Sequence, residues 1–154
     1  MKKYFVTILM AIIVGFFLAN FFIKQYDDYK GIGVSSSTEE LYFIQYGVFS
    51  NKESLEENTI SLGNYIYNVE DDKYYVFIGI TAIEDNAKKI SDYYKTLGYE
   101  TIIKKYQISN KDFIEQLKTY DEVIKETQDK TALSSVINQV LIKYEEVVIN
   151  GSKN

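Results

Sequence analysis

Tyr42-Phe43-Ile44-Gln45-Tyr46-Gly47-Val48-Phe49 and Tyr74-Tyr75-Val76-Phe77-Ile78-Gly79-Ile80-Thr81 are two versions of one pattern. Each run is aromatic and β-branched, with glycine in its sixth place. Each leads into a polar, helix-like segment closed by Leu-Gly and a tyrosine: Leu62-Gly63-Asn64-Tyr65, then Leu97-Gly98-Tyr99. Such side chains suit a pleated, half-buried surface, so each run predicts a strand. The second copy starts 32 residues after the first, Tyr74 against Tyr42. Duplicated units of this kind close into one small sheet with helices on one face, leaving the other face free to bind.

The segments around the two runs complete the domain. Leu41–Phe49 is the first expected strand. Ser50-Asn51-Lys52-Glu53 reads as a capping box, with Ser50 as N-cap. Leu55, Thr59 and Leu62 then share a helical face, and Gly63 is the expected stop. Tyr65–Val69 is a short second strand, Asp71-Asp72 a hairpin turn, and Lys73–Thr81 the third strand. Thr81-Ala82-Ile83-Glu84 reads as a second capping box. It opens a helix whose stripe is Ile83, Ala87, Ile90, Tyr94 and Leu97 and which ends at Gly98. Glu100–Ile108 is the fourth strand. The order βαββαβ predicts an α+β domain over residues 41–108: a four-stranded antiparallel sheet with two helices on one face.

A helical extension is expected over residues 109–150. Asn110 can cap a helix whose stripe is Phe113, Leu117, Tyr120 and Ile124. A second stripe runs through Leu133, Val136, Val140, Tyr144 and Val147. The nine-residue step from Ile124 to Leu133 breaks the phase, which predicts two helices or a kink near Asp129–Thr131. The apolar faces of the tail need a partner, either the sheet domain and each other or another protein.

Residues 1–24 read as a transmembrane anchor. Lys2 and Lys3 precede Tyr4–Ile23, whose clearly polar members are Thr7 and Asn20. A helix of that length spans roughly 30 Å, the thickness of a bilayer core. The basic start argues for a cytoplasmic N-terminus, so the remainder would be extracytoplasmic. The competing reading is a cleaved signal peptide, but the apolar run is long for one and Phe17-Leu18-Ala19 is a poor cleavage site. Residues 25–40 hold Gly31, Gly33 and Ser35-Ser36-Ser37 and read as a linker. Sixteen extended residues reach at most about 55 Å, so the domain would work close to the membrane.

Composition narrows the chemistry. The 154-residue chain has no Cys, His, Pro, Trp or Arg, but 15 Tyr and 9 Phe. Lys2, Lys3 and Lys24 fall in the expected anchor, so 14 of the 17 lysines face all 22 acids beyond it, a formal charge of −8. An acidic surface argues against nucleic acid and against anionic wall polymers as partners, but it does not disfavour a neutral ligand. Without His or Cys there is no Ser-His or Cys-His pair and no usual zinc set. The carboxylate pairs Asp27-Asp28, Glu56-Glu57, Asp71-Asp72 and Glu145-Glu146 are adjacent in sequence, which suits solvated surface. They are not the opposed acids of a glycan hydrolase. Asp71-Asp72 lacks the spacing of a calcium loop. The expectation is a protein without catalysis, cofactor or metal.

What remains is an aromatic sheet. Strict alternation places Phe43, Gln45 and Gly47 on one face of the first strand. In the third it places Lys73, Tyr75, Phe77 and Gly79 opposite Tyr74, Val76, Ile78 and Ile80. The wholly apolar set should face the helices. Phe43, Gln45, Lys73, Tyr75 and Phe77 should then face solvent as a candidate glycan-binding set: rings stack on the apolar face of a pyranose, and an amide serves its hydroxyls. The bland alternative is that these rings cover a small core or receive the C-terminal helices.

These runs also resemble a known family. Phe43-Ile44-Gln45-Tyr46-Gly47-Val48-Phe49-Ser50 is similar to the x-V-Q-x-G-S-F opening of SPOR domains. Tyr75-Val76-Phe77-Ile78-Gly79 is similar to their second signature, R-V-x-x-G. The resemblance covers about residues 40–107, with both glycines, both Leu-Gly stops and the βαββαβ order. It implies a small peptidoglycan-binding module of the kind often carried by single-pass membrane proteins of bacterial cell division or sporulation. Such modules bind glycan strands stripped of their peptides, and the implied ligand surface is the helix-free face of the sheet. Val48 stands where a small polar residue is common, Tyr75 where a basic one is, and Ile80 where proline is frequent. The leading expectation is a membrane-anchored, non-catalytic binder of peptidoglycan glycan strands in the cell wall. The alternative is a membrane-tethered interaction module acting on a protein partner, or on itself, through its C-terminal helices.

Overall fold

The computed structural model describes residues 38–149. The anchor expected over 1–24 and the linker as far as residue 37 lie outside the described residues. Among the described residues no helix is long and apolar enough to cross a membrane. The element order is β1 (Glu39–Phe49), α1 (Lys52–Thr59), β2 (Ile66–Glu70), β3 (Lys73–Thr81), α2 (Glu84–Thr96), β4 (Ile102–Ile108), α3 (Lys111–Glu126) and α4 (Lys130–Tyr144). A π-helical turn, Glu145–Ile149, follows. The four strands form one antiparallel sheet, as the βαββαβ pattern predicts, and their order in it is β2-β3-β1-β4.

Both predicted capping boxes are corrected. Asn51, not Ser50, caps α1, accepting from the Ser54 amide at 2.8 Å. At α2 the N-cap is Ile83, which makes no side-chain cap. Thr81 Oγ1 instead accepts from the Ile83 amide at 3.1 Å. Its hydroxyl donates to Asp121 in α3, so a residue read as a local cap is a long-range tie. Helix α1 also ends at Thr59, before Gly63. Gly98 does end α2, with φ +87, where glycine carries no Cβ penalty. Asp71 and Asp72 have φ of 49 and 58 and turn the hairpin between β2 and β3. That is the left-handed pair a two-residue hairpin loop requires.

The predicted strand faces hold only in part, because β1 and β3 are irregular against each other. Ile44 pairs with Gly79, then Gln45 with Phe77, then Gly47 with Val76. Ile78 is therefore extra on β3 and Tyr46 extra on β1: two bulges, one per strand, that restore the register. Each bulge flips the phase of its own strand. Directly paired residues share a face. Gly79 thus lies with Ile44, not with Phe77, and Ile80 lies with Phe43. A Cβ at Gly79 would come within 2.9 Å of Ile90 Cγ2, so the Ile44–Gly79 face is where α2 rests.

The other face, carrying Phe43, Phe77 and Tyr106, is where the tail packs. Phe43 meets Phe77, Tyr106 and Tyr144 edge to face, with ring centroids 5.4, 5.1 and 5.5 Å apart. Phe113 of α3 meets Tyr144 at 5.1 Å. Helix α4 also lies against β3. The tail is two helices, as the phase break predicts, parted at residues 127–129 and restarted by Asp129, which accepts from the Ala132 amide at 2.7 Å. Phe113, Leu117, Ile124, Ile137, Val140 and Leu141 are fully buried. At about 1.5–3 kcal/mol for each buried side chain, these six contribute on the order of 10 kcal/mol. That is comparable to the whole stability of an ordinary domain. The tail is therefore a structural layer of the domain, not a lid that opens thermally.

Polar ties fix the layer at one end. Asp121 accepts from Thr81 Oγ1, from the Ala82 amide at 2.9 Å and from Asn86 Nδ2 at 3.2 Å. Asn86 Nδ2 also reaches the Asp121 carbonyl at 2.9 Å. Burial outweighs these donors and raises the Asp121 carboxyl above its ordinary value. Lys89 Nζ donates to the carbonyls of Ile124, Lys125 and Thr127 at 2.6, 3.0 and 2.6 Å. A cation thus satisfies the C-terminal carbonyls of α3.

Candidate functional site

The five residues singled out on the sequence separate into two groups. Phe43, Gln45 and Phe77 were expected at the solvent face and are instead buried, 3%, 6% and 4% exposed. Tyr144 and Tyr106 close over the two phenylalanines. Rings enclosed in this way have no free face for a sugar, so their role in this arrangement is to seat the tail. Tyr75 is half-buried and Lys73 exposed, and both remain at the surface.

The tail leaves part of that face uncovered. Tyr75 pairs directly with Val48 on β1 and with Asn68 on β2, so all three share a face. Gln45 continues the face toward β4, pairing with both Phe77 and Ile102. Lys104 pairs with Phe43 and so lies on the same side. Val48 is 42% exposed and Ile102 57%. Asn68, Lys73 and Lys104 are also exposed. The result is a strip across all four strands: a tyrosine ring and two aliphatic side chains, an amide, and an ammonium group toward each end. Neither the Lys73 nor the Lys104 ammonium group makes an ion pair or hydrogen bond among the described residues, whereas that of Lys105 is held by Glu40 at 2.8 Å. Tyr106 borders the strip. Burial first, then the neighbouring Glu70 and Tyr75, hold its hydroxyl above the ordinary value, so it is a neutral donor at pH 7.

Val48, Asn68, Ile102 and Lys104 were not among the sequence candidates. Strict alternation puts Val48 on the face opposite Gln45, and the bulge at Tyr46 turns it back beside Tyr75. A glycine inside a strand is a signal for such a bulge, and Gly47 stands directly after it. Ile102 and Lys104 follow from the β1–β4 register, which no local pattern fixes.

No group of acidic side chains among the described residues is placed to hold a metal ion. No family model matches the chain. No curated protein matches it either. Among solved structures, the peptidoglycan-binding domain of the B. subtilis cell wall lytic enzyme CwlC, determined in solution, is similar at 31% identity. The match covers 49% of this chain and 99% of that one, with a TM-score of 0.38.

Proposed function

We propose that this chain is a non-catalytic, membrane-anchored binder of peptidoglycan glycan strands, with a SPOR-type domain held outside the membrane by residues 4–23. The observation that carries the reading is the open strip itself. It lies on the sheet face that the SPOR resemblance designates, and it joins Tyr75, Val48 and Ile102 to two unpaired lysines. A pyranose ring offers an apolar face to the first set. Removal of stem peptides leaves the lactyl carboxylates of the glycan, which suit Lys73 and Lys104. For an anionic ligand on an acidic protein, Lys73 and Lys104 supply two positive charges against the one carboxylate of Glu70, which stands opposite Lys73 in the β2–β3 register and on the same face. The CwlC domain to which the chain is similar is a peptidoglycan-binding domain, which agrees with this reading.

The absence of His and Cys from the sequence supports a role without catalysis. The reading in which the tail docks a partner protein gains no support, since the apolar stripes of α3 and α4 are spent within the domain. The test is co-sedimentation of the full chain with purified sacculi before and after amidase treatment. Binding should rise once peptides are removed and weaken with added salt, because surface ion pairs are screened. Failure to sediment with either preparation contradicts the proposal.

A further inference from the structure

A second recess lies away from the strip, between the end of α2, the loop after α1 and one face of α4. Its volume is about 260 Å³. This is just under the roughly 300 Å³ at which ordinary small-molecule sites begin, which suits one sugar ring rather than a chain. Tyr93, Tyr94 and Tyr99 form its aromatic side, with centroids 5.1 Å apart for the first pair and 6.3 Å for the second. Two of these rings are fixed by hydrogen bonds: Tyr94 Oη donates to the Ile78 carbonyl and Tyr99 Oη to the Ser61 carbonyl, each at 3.0 Å. The opposite wall is Ser134 and Asn138, four residues apart on one face of α4. Both are half-buried, and neither side chain makes a hydrogen bond among the described residues. Gly63 faces that wall: a Cβ there would stand 3.9 Å from Asn138 Oδ1, at ordinary van der Waals distance, so a larger side chain would extend into the recess.

We propose that this recess binds one uncharged N-acetylhexosamine residue. No charged side chain lines it, which disfavours an ionic ligand. Pre-fixed aromatic rings suit the apolar face of a pyranose. The free amide of Asn138 is both donor and acceptor, as an acetamido group requires, and the Ser134 hydroxyl can serve a ring hydroxyl. Leu97, 51% exposed at the rim, gives the acetyl methyl an apolar contact. The choice of sugar rests on the glycan reading above, but the recess is distinct from the sheet strip. It exists because the tail is present: α4 supplies the polar wall.

The test is a titration of the isotopically labelled full chain with N-acetylglucosamine, and with glucose as the analogue lacking the acetamide, read by amide chemical shifts. The amides of Gly63, Tyr99 and Asn138 should shift saturably with N-acetylglucosamine and about tenfold more weakly with glucose. A tenfold loss corresponds to one lost hydrogen bond. Asn138→Leu should weaken binding by about as much, and Gly63→Val, which fills the space from the other wall, should abolish it. Both variants should keep the remaining amide shifts. No saturable shift at these amides, or undiminished binding by both variants, overturns the proposal. The two sites are separable in the same spectra. If glycan strands shift Val48 and Tyr75 while N-acetylglucosamine leaves Gly63 and Asn138 unmoved, the recess is refuted and the strip stands. The reverse pattern supports the recess and refutes the strip.

Discussion

Phe43 in the first strand and Tyr144 at the end of the last helix meet edge to face, with ring centroids 5.5 Å apart and planes 82° apart. The two residues lie 101 positions apart in the chain, and their contact decides what the sheet can offer. It turns the most aromatic part of the face into an internal layer. Recognition is left to a strip of the same face that the tail does not reach.

The first prediction concerns that contact. Tyr144→Ala removes ring contacts to both Phe43 and Phe113. It should destabilise the domain by about 3 kcal/mol, as truncation of a largely buried aromatic does. Urea unfolding of the full chain measures it. A cost below about 0.5 kcal/mol, the level of an ordinary surface substitution, contradicts a structural tail.

The two repeat glycines should respond differently to alanine. A Cβ at Gly79 would meet Ile90 Cγ2 at 2.9 Å and Ile44 Cδ1 at 3.3 Å, both in the core beneath α2. A Cβ at Gly47 would meet the far end of the Phe49 ring at 2.9 Å, and that side chain can rotate aside. Gly79→Ala should therefore cost about 1–3 kcal/mol, the usual range for overpacking. Gly47→Ala should cost clearly less. Equal costs in thermal unfolding would show that α2 does not approach the sheet as described.

Lys89 makes the third prediction. Lys89→Met keeps the aliphatic stem but removes the donor to three carbonyls at the end of α3. The loss should be about 2 kcal/mol, the scale of charge-assisted bonds at a helix C-terminus. Hydrogen exchange should quicken in the last turn of α3 before it does in β1.

Asp121 gives a pH dependence. Its carboxyl is raised in the folded state, chiefly by burial. The native state therefore holds its proton more tightly than the unfolded chain does. Asp121 thus penalises folding at neutral pH, and the penalty lifts as pH falls through the raised value. Relative to Asp121→Asn, the wild type should gain stability as the pH is lowered from neutral through the raised value of the carboxyl. A change of opposite sign would mean that the Thr81, Ala82 and Asn86 donors outweigh burial.

The sequence made the sheet legible because its signals are local. The hairpin at Asp71-Asp72, the stop at Gly98 and the stripe Ala87, Ile90, Tyr94 each depend on neighbours within a turn or a strand. The break between Ile124 and Leu133 was equally readable as a loss of helical phase. The faces were not, because each bulge inverts everything beyond it, and only the register of β1 against β3 reveals the bulges. Nor was the burial of Phe43 and Phe77. Aromatic residues on a free face and aromatic residues under a helix have the same spacing, and Tyr144 is distant in sequence. Val48 joined the site through the first of these effects; Phe43 and Phe77 left it through the second.

The most direct test of the central claim is the affinity of the full chain for amidase-treated sacculi, compared with that of a Lys73→Gln, Tyr75→Ala double variant. Both side chains lie at the surface of the uncovered strip, so the variant should melt within a few degrees of the wild type. Its binding should fall by at least about tenfold, the loss of one charge-assisted contact or more. Unchanged binding by a folded double variant would contradict the assignment of the strip as the glycan-binding surface.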